Sequence, residues 1–210
     1  MTPILRVLLL AALFAPGLAL AQSFAVNAPF DPGRYAPLDG HERFVRWWNE
    51  DGGSSSIHLT ALLDASVTQV VNTPPEWGRT AGGFLRRGAS SYGSNIIQNT
   101  THEGLAYAMG TDTRYFACNC RGFLPRSGHA LQMTLLTYNM SGHKTLDIPQ
   151  IAGAYGGPMV ATMWWPRHYT PLVQGVQVGH LEIGLIGTIH MVQEFSPDLK
   201  RFFLWRKRDY

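Results

Sequence analysis

The sequence predicts an all-α protein, a small glycine-rich helical bundle that follows a cleaved signal peptide. Apolar residues recur at helical intervals over residues 57–71, and small residues recur at three- and four-residue steps over residues 77–109. The apolar segment 170–195 contains a short strand-like alternation, but its length favours a helix. These three segments together cover enough of the chain to set the fold class.

Residues 1–21 are predicted to be a signal peptide. A cationic start at Arg6, an apolar run and an Ala19-Leu20-Ala21 cleavage site are the three parts of such a peptide. The apolar run is too short to be a good membrane span. We therefore expect an exported protein that is periplasmic or associated with a membrane of the cell envelope.

Residues 22–56 are predicted to form an N-terminal arm that contains one short amphipathic helix. The arm is rich in Pro, Asn and Gly, and the segment HERFVRWWNE at 41–50 places its aromatic side chains on one side of a helix. The segment DGGSSS at 51–56 then predicts a turn. Residues 57–210 are predicted to form the helical domain.

Four elements are predicted within the first part of that domain. Residues 57–71 form a helix that the Pro74-Pro75 pair ends. Residues 77–109 form a helix, broken near Gly88, and one stripe of it carries small residues: Gly78, Gly82, Ala89, Gly93, Thr100, Gly104 and Ala108. Such a stripe lets another helix approach closely. Residues 111–128 are turn-like, and residues 128–138 resume a helical pattern.

The rest of the domain is predicted to be helical as well. A turn at 141–144 precedes the small, apolar segment 149–165 and the long segment 170–195. Ser196-Pro197-Asp198 has the form of a helix start, with Ser as N-cap and Pro at the first position. The tail that follows is amphipathic, basic and aromatic.

The composition limits the classes of partner. Charged residues are 15% of the chain and hydrophobic residues 45%, so the surface is expected to meet lipid, another protein or a second copy of the chain. The formal charge of +3 is too small for a nucleic-acid footprint, and exported proteins rarely meet nucleic acid. We expect membrane lipid or an envelope protein as the partner, and the small-residue faces are compatible with an oligomer.

The only cysteines, Cys118 and Cys120, are separated by one residue. Export places them where a disulfide persists, so a structural disulfide is one interpretation and idle thiols are the other. A metal clip is disfavoured because no further cysteine and no suitably spaced histidine is present.

Four blocks of the sequence are distinctive: TALLDASVTQVVNTPPEWGRTAGGFLRRGASSYGSNII, DTRYFACNCRGFLPRSGHA, IAGAYGGPMVATMWWP and QEFSPDLKR. Together they resemble a family of exported bacterial proteins that is abundant in acidobacteria. The family pattern has Asp-Pro-Arg-Tyr where this chain has Thr113 in place of the proline, and a closing Glu-Phe-Trp-Pro-Asp where it has Ser196 in place of the tryptophan. The resemblance implies an exported, mostly helical bacterial protein, and it implies no catalytic residue.

His190 and Glu194 are the strongest candidates for chemistry. They are four residues apart, so on a helix they share a face and offer two metal ligands or an acid–base pair; a structural hydrogen-bonded pair is the other interpretation. The block Pro-Arg-Ser-Gly-His that ends at His129 is similar to the Ser-Gly-His motif of membrane phosphatases, although their upstream basic motif is missing. The catalytic hypothesis is an envelope lipid-acting or metal-dependent hydrolase that uses His129, His190 and Glu194.

Basic side chains are the candidates for lipid binding. Anionic lipid phosphates attract Lys and Arg, and a merely solvated basic face is the alternative interpretation. The candidates are Arg121, Arg126, Lys200, Arg201, Arg206 and Lys207.

The sequence as a whole favours an exported, membrane-associated helical protein with a structural or interaction role over an enzyme. The hydrolase is the first alternative, and a soluble binding module is the second. No activity and no cofactor is assigned from the sequence.

Overall fold

The computed structural model of the protein describes residues 29–49 and 55–206, except for the side chains of 55–56 and 199–206. The predicted signal peptide at 1–21 and residues 22–28 of the predicted arm lie outside the described residues. So does Lys207, one of the predicted lipid-binding residues.

Helices dominate the described residues, which confirms the all-α prediction. The α-helices are α1 (Gly40–Trp47), α2 (Ser55–Val71), α3 (Ala81–Met109), α4 (Phe123–Gln132), α5 (Ile148–Ala161) and α6 (Pro171–Arg206). Strands β1 (Leu136–Tyr138) and β2 (Lys144–Leu146) form one antiparallel hairpin in which Thr137 pairs with Thr145. Short 3-10 helices follow α2 (Pro75–Trp77) and α5 (Thr162–Trp164). Among these helices none is both long and apolar enough to cross a membrane.

The predicted amphipathic helix of the arm is present as α1. It begins with a capping box, because the Glu42 N–H donates to Asp39 Oδ1 at 2.7 Å and the Asp39 N–H donates to Glu42 Oε2 at 3.0 Å. The buried Arg43 then ties α1 to the end of α3 by donating to the Thr111 carbonyl at 2.7 Å.

α3 is continuous, so the break predicted near Gly88 is wrong. The helix starts at an N-cap, Thr80, whose Oγ1 accepts from the Gly83 N–H at 3.2 Å, and it ends at Gly110, which has a φ of 66°. A Cβ at Gly88 would lie 3.7 Å from the Ala65 Cβ of α2. Packing of α2 against Gly88 keeps α3 helical at this position, although glycine has a low intrinsic helix propensity.

The helix predicted at 128–138 is wrong in both of its bounds. α4 begins earlier and ends at Gln132, after which the chain forms the hairpin. Thr137 Oγ1 donates to the Asp112 carbonyl, and the Asp112 N–H donates to the Tyr138 carbonyl at 2.8 Å. These bonds hold β1 against the segment after α3, so tertiary pairing overrides the local helical pattern.

The helix start predicted at Ser196 is also wrong, because α6 continues through Pro197. Proline lacks the N–H that would bond the preceding turn, and such a site normally kinks or ends a helix. Here Arg126 of α4 donates both to the Glu194 carbonyl and to Asp198 Oδ2, the latter at 2.5 Å. One guanidinium therefore joins the two turns on either side of the proline.

The bundle is assembled around α5, which packs between the two long helices α3 and α6. A Cβ at Gly157 would lie 2.7 Å from the Ser94 carbonyl oxygen, and one at Gly153 would lie 2.6 Å from the Gln98 carbonyl oxygen. On the other side, Cβ atoms at Gly175 and Gly179 of α6 would overlap side chains of α5. Glycine at these positions lets the backbones approach closely.

The small-residue stripe predicted on α3 does not make this contact. A Cβ at Gly104 would meet no atom within 4 Å, and Ala108 is exposed. α3 instead turns Ser94, Gln98 and His102 towards α5. The glycines that matter for close approach belong to α5 and α6.

A second, aromatic core lies beside the hairpin. Tyr115, Phe116 and Tyr138 are buried there, and Phe30 of the arm stacks on Tyr138 with ring centroids 3.8 Å apart. Tyr35 packs against the same cluster and donates its hydroxyl to Asp112 Oδ2 at 3.1 Å. The arm therefore contributes side chains to the folded core.

We expect Gly157→Ala to lower the free energy of unfolding by about 1–3 kcal/mol, because the added methyl group collides with the backbone of α3. Gly156→Ala is the matched control one residue away, where an added Cβ meets nothing within 4 Å. It should stabilise the helix by about 0.5–1 kcal/mol. Urea unfolding measures both changes, and equal effects of the two variants would contradict the close-approach interpretation.

Candidate functional site

The structure brings the three predicted catalytic residues together at the junction of α4 and α6. Glu194 is almost fully buried, with 1% of its side chain exposed. Its Oε2 accepts from the Tyr115 hydroxyl at 2.6 Å and from the Cys118 N–H at 2.9 Å, and its Oε1 accepts from Arg126 Nε at 3.1 Å. These three donors compensate the buried carboxylate.

The two histidines have different positions relative to this carboxylate. His129 Nδ1 is 3.8 Å from Glu194 Oε2, which is beyond hydrogen-bond distance, and the His190 ring stacks on Tyr115 with centroids 4.5 Å apart. Burial lowers the pKa of His190 to about 4 and also lowers the pKa of His129. Burial and the bond to Glu194 raise the pKa of Tyr115.

This arrangement is better suited to stability than to catalysis. The Glu194 oxygens already accept from fixed donors, so the carboxylate is a poor general base. The neighbouring cavity, lined by Tyr115, His190, Asp147 and others, has a volume of about 20 Å³, which is enough for about one water molecule. This cavity is too small for a substrate.

The geometry gives little support to a metal site at His190 and Glu194. Over the residues that the structure describes, no group of three or more His, Cys, Asp or Glu side chains is placed to hold a metal ion. The buried His190 Nδ1 has no hydrogen-bond partner and is therefore open to a ligand. The Glu194 carboxylate, however, points to its three hydrogen-bond donors.

Sequence reasoning missed Tyr115 as the residue that links the segment after α3 to α6. It belongs to the block Asp-Thr-Arg-Tyr, on which the family resemblance partly depends. Within that block Arg114 donates to both carboxylate oxygens of the buried Asp112, with Nη2 2.6 Å from Oδ2. The block was a sequence signal for this network, because its charged and hydroxyl side chains form the hydrogen bonds of the network.

The predicted lipid-binding residues have different surroundings. Arg121 is exposed, whereas Arg126 is used inside the protein by Glu194 and Asp198. Lys200, Arg201 and Arg206 lie on the last turns of α6, and their side chains are outside the described part.

Cys118 and Cys120 are joined by a disulfide, which is one of the two interpretations left open by the sequence. The backbone N–H of Cys118 donates to Glu194, so the disulfide loop is fixed to α6 at one end.

A second polar cluster, missed by sequence reasoning, lies between α2, α3 and α6. Asp64 of α2 lies beside Ser91 of α3, and Glu182 of α6 lies beside Gln98 of α3. Burial and the negative charge of Asp64 raise the pKa of Glu182 to about 7. The signal in the sequence was the spacing of Ser91, Asn95 and Gln98, which places three polar side chains on one face of the helix.

α6 also carries an exposed aliphatic face near its start. Leu172, Val173 and Val176 are between 36% and 68% exposed and lie on one side of the helix, whereas the exposed Leu181 and Leu185 lie on the other side. The segment 171–188 holds one acidic residue, Glu182, which is directed inward. Farther along α6, beside residues 183–191, Leu131 and Leu135 border an apolar groove of about 320 Å³.

No protein-family model matches the chain, and neither a curated protein nor a solved structure matches it. The resemblance to exported bacterial proteins therefore stays a prediction.

We expect Glu194→Ala to cost about 3–5 kcal/mol of stability, because the Tyr115 hydroxyl and the Cys118 N–H lose their acceptor and Arg126 loses its buried carboxylate partner. Asp198→Ala is the matched control, since Asp198 pairs with the same guanidinium but is half exposed. It should cost less than about 1 kcal/mol. Denaturant titration of both variants tests this, and similar losses would mean that Glu194 does not anchor the junction.

We expect His190 to make stability depend on pH. Its folded pKa of about 4 lies below the ordinary 6.5, so the neutral ring is favoured in the folded state. The contribution is present above pH 6.5 and is lost as the pH falls from 6.5 to about 4, by about 3 kcal/mol in total. The free energies of unfolding of the wild type and of His190→Gln, each at pH 7 and pH 5, measure this contribution. The variant should lose less stability on acidification, and equal losses would contradict the assignment.

Proposed function

We propose that the chain is an exported, membrane-associated helical protein that lies on an anionic lipid surface through the exposed aliphatic face of α6. The observation that carries this proposal is that Leu172, Val173 and Val176 are exposed together on one side of α6, in a segment whose one acidic residue, Glu182, is directed inward. Exposed apolar side chains grouped in this way mark an interaction site.

The sequence that follows the exposed face of α6 favours a lipid surface as the partner of this face. Residues 198–210, DLKRFFLWRKRDY, contain five basic residues and three aromatic residues besides the terminal Tyr210. Aromatic residues are enriched at membrane interfaces, and each Lys or Arg near an anionic surface contributes about 1 kcal/mol. An aliphatic face followed by a basic, aromatic segment is the pattern of a helix that lies in the interface plane.

The expected strength of this association is substantial. Burying the three exposed aliphatic side chains Leu172, Val173 and Val176 contributes about 3 kcal/mol, and the basic tail adds a few more. The apolar and electrostatic contributions act together, and a stable peripheral attachment to a membrane requires two such contributions.

The hydrolase hypothesis lacks comparable support. Its three residues meet, but at a junction with space for about one water molecule and with the carboxylate held by three donors. The role that these residues support best is to hold α4, the disulfide loop and α6 together.

We expect the chain from Gln22 onward to float with vesicles of mixed neutral and anionic phospholipid in a density gradient, and to float less at high salt. The double variant Leu172→Gln with Val176→Gln should bind at least ten-fold more weakly, because both side chains are exposed on the same side of α6. Leu85→Gln is the matched control, since Leu85 is 70% exposed on α3.

Two outcomes would contradict the proposal. One is failure of the wild type to float with either neutral or anionic vesicles. The other is a concentration-dependent dimer in sedimentation that the same double variant abolishes, which would make a second copy of the chain the occupant of this face.

A further inference from the structure

The outer side of α4 is exposed and apolar. Leu124 is 79% exposed and Leu131 is 58% exposed, and the seven-residue step between them places both on one side of the helix. Phe123, at the start of the helix, is 65% exposed. The other side of α4 faces the bundle, with Ala130 buried and Arg126 bonded to α6. Exposed apolar side chains grouped in this way mark an interaction site.

α4 packs on the side of α6 that also carries Leu172 and Val176. Arg126 of α4 donates to Glu194 of α6, and a Cβ at Gly187 of α6 would lie 3.7 Å from Leu131. Positions that are four or seven residues apart share one side of a helix, and on α6 this series runs through residues 172, 176, 183, 187 and 194. The apolar groove of about 320 Å³ lies between α4 and α6 on this side. The exposed side of α4, the groove and the start of α6 therefore lie on one side of the bundle.

Exposed cations lie at both ends of α4. The sequence of residues 113–146 contains no Asp or Glu, and two of its four Lys and Arg side chains, Arg121 and Lys144, are exposed. Arg121 lies two residues before the start of α4, and Lys144 Nζ is 3.5 Å from Oε1 of Gln132, the last residue of the helix. This charge is complementary to an anionic surface.

The carboxylates of α6 that contact α4 leave this charge in place. Glu194 is buried, and its negative charge is matched inside the protein by Arg126. Asp198 is half exposed, and its Oδ2 accepts from the same guanidinium at 2.5 Å. The exposed side of α4 therefore combines apolar side chains with cations at its ends.

We propose that α4 is a second lipid-contacting helix, which lies in the interface of an anionic bilayer with Leu124 and Leu131 at the acyl chains and Arg121 and Lys144 at the lipid phosphates. A helix with one apolar side and basic residues beside it takes this orientation, because long basic side chains reach the head groups while their stems stay in the apolar region. The Phe123 ring suits the head-group level, where aromatic side chains are enriched. This inference rests on the proposed attachment to lipid and extends it from α6 to α4.

Contact through both helices determines how the bundle lies on the bilayer. Leu172 and Gly187, where α4 begins to cover α6, are about 22 Å apart along the helix at a rise of 1.5 Å per residue. Two contacts at this separation on one side hold α6 parallel to the bilayer plane. The groove between α4 and α6 then also faces the lipid.

The first test is flotation of the chain from Gln22 onward with vesicles of neutral or mixed anionic phospholipid. We expect Leu124→Gln with Leu131→Gln to bind anionic vesicles at least five-fold more weakly than the wild type, with little change in Tm because both side chains are exposed. Leu59→Gln with Leu62→Gln is the matched control, since these leucines are exposed on α2, which packs on α3. It should bind like the wild type.

A charge variant tests the cations separately. Arg121→Gln with Lys144→Gln should weaken binding to anionic vesicles and leave binding to neutral vesicles unchanged. Arg86→Gln is its control, because Arg86 is exposed on α3. Equal binding of the charge variant and the wild type to anionic vesicles would contradict the placement of these cations at lipid phosphates.

A fluorescent label reports the position of α4 directly and covers the case in which a double variant fails to fold. Leu124→Cys provides one free thiol, because Cys118 and Cys120 are joined to each other. We expect the emission of a polarity-sensitive dye at this position to rise at least two-fold with anionic vesicles, and spin labels on the acyl chains to quench it. The same dye on Leu62→Cys should not respond.

The outcomes separate this inference from the proposed function. A dye on Leu172→Cys that enters the bilayer while the dye on Leu124→Cys stays in water overturns the inference and leaves the attachment through α6 intact. Failure of the wild type to float overturns both. A dimer in sedimentation that Leu124→Gln with Leu131→Gln abolishes also overturns the inference, because a second copy of the chain would then cover α4.

Discussion

The close contact of α5 with the two long helices is the constraint on which the rest of the bundle depends. Gly153 and Gly157 leave no room for a Cβ against α3, and Gly175 and Gly179 leave none against α5. Because the backbones approach so closely, Ser94, Gln98 and His102 of α3 lie directly against the glycines of α5. The same glycines that allow van der Waals packing therefore also determine which residues of α3 face the centre of the bundle.

The sequence predicted the helices better than it predicted their contacts. Periodicity identified α2 and the small-residue character of α5, because both depend on local spacing. It assigned close approach to the wrong stripe of α3, since spacing alone does not say which side of a helix meets a partner. The end of α4 and the passage of α6 through Pro197 were also wrong, because bonds from Thr137 and from Arg126 override the local pattern.

The sequence predicted which residues belong to the candidate site, but it did not predict their role. His190 and Glu194 share a helix, so their proximity follows from a four-residue spacing. Contacts of Glu194 with Tyr115 and Arg126 span about 70 residues or more of sequence, and no local rule supplies them. Those contacts decide the role of the carboxylate, because three fixed donors turn a group with catalytic potential into an anchor. A pattern of reactive side chains therefore cannot be interpreted before the partners of each side chain are known.

The buried carboxylates of this protein are accommodated by complete hydrogen-bond networks. At the α4–α6 junction the negative charge of Glu194 is matched by Arg126 and by neutral donors, so the network is complete within the chain. Beside the hairpin, Arg114 and Tyr35 bond the buried Asp112 in the same way. Unmatched polar groups in a low-dielectric interior are costly to folding, so these networks hold the segments between the helices in place where local sequence does not.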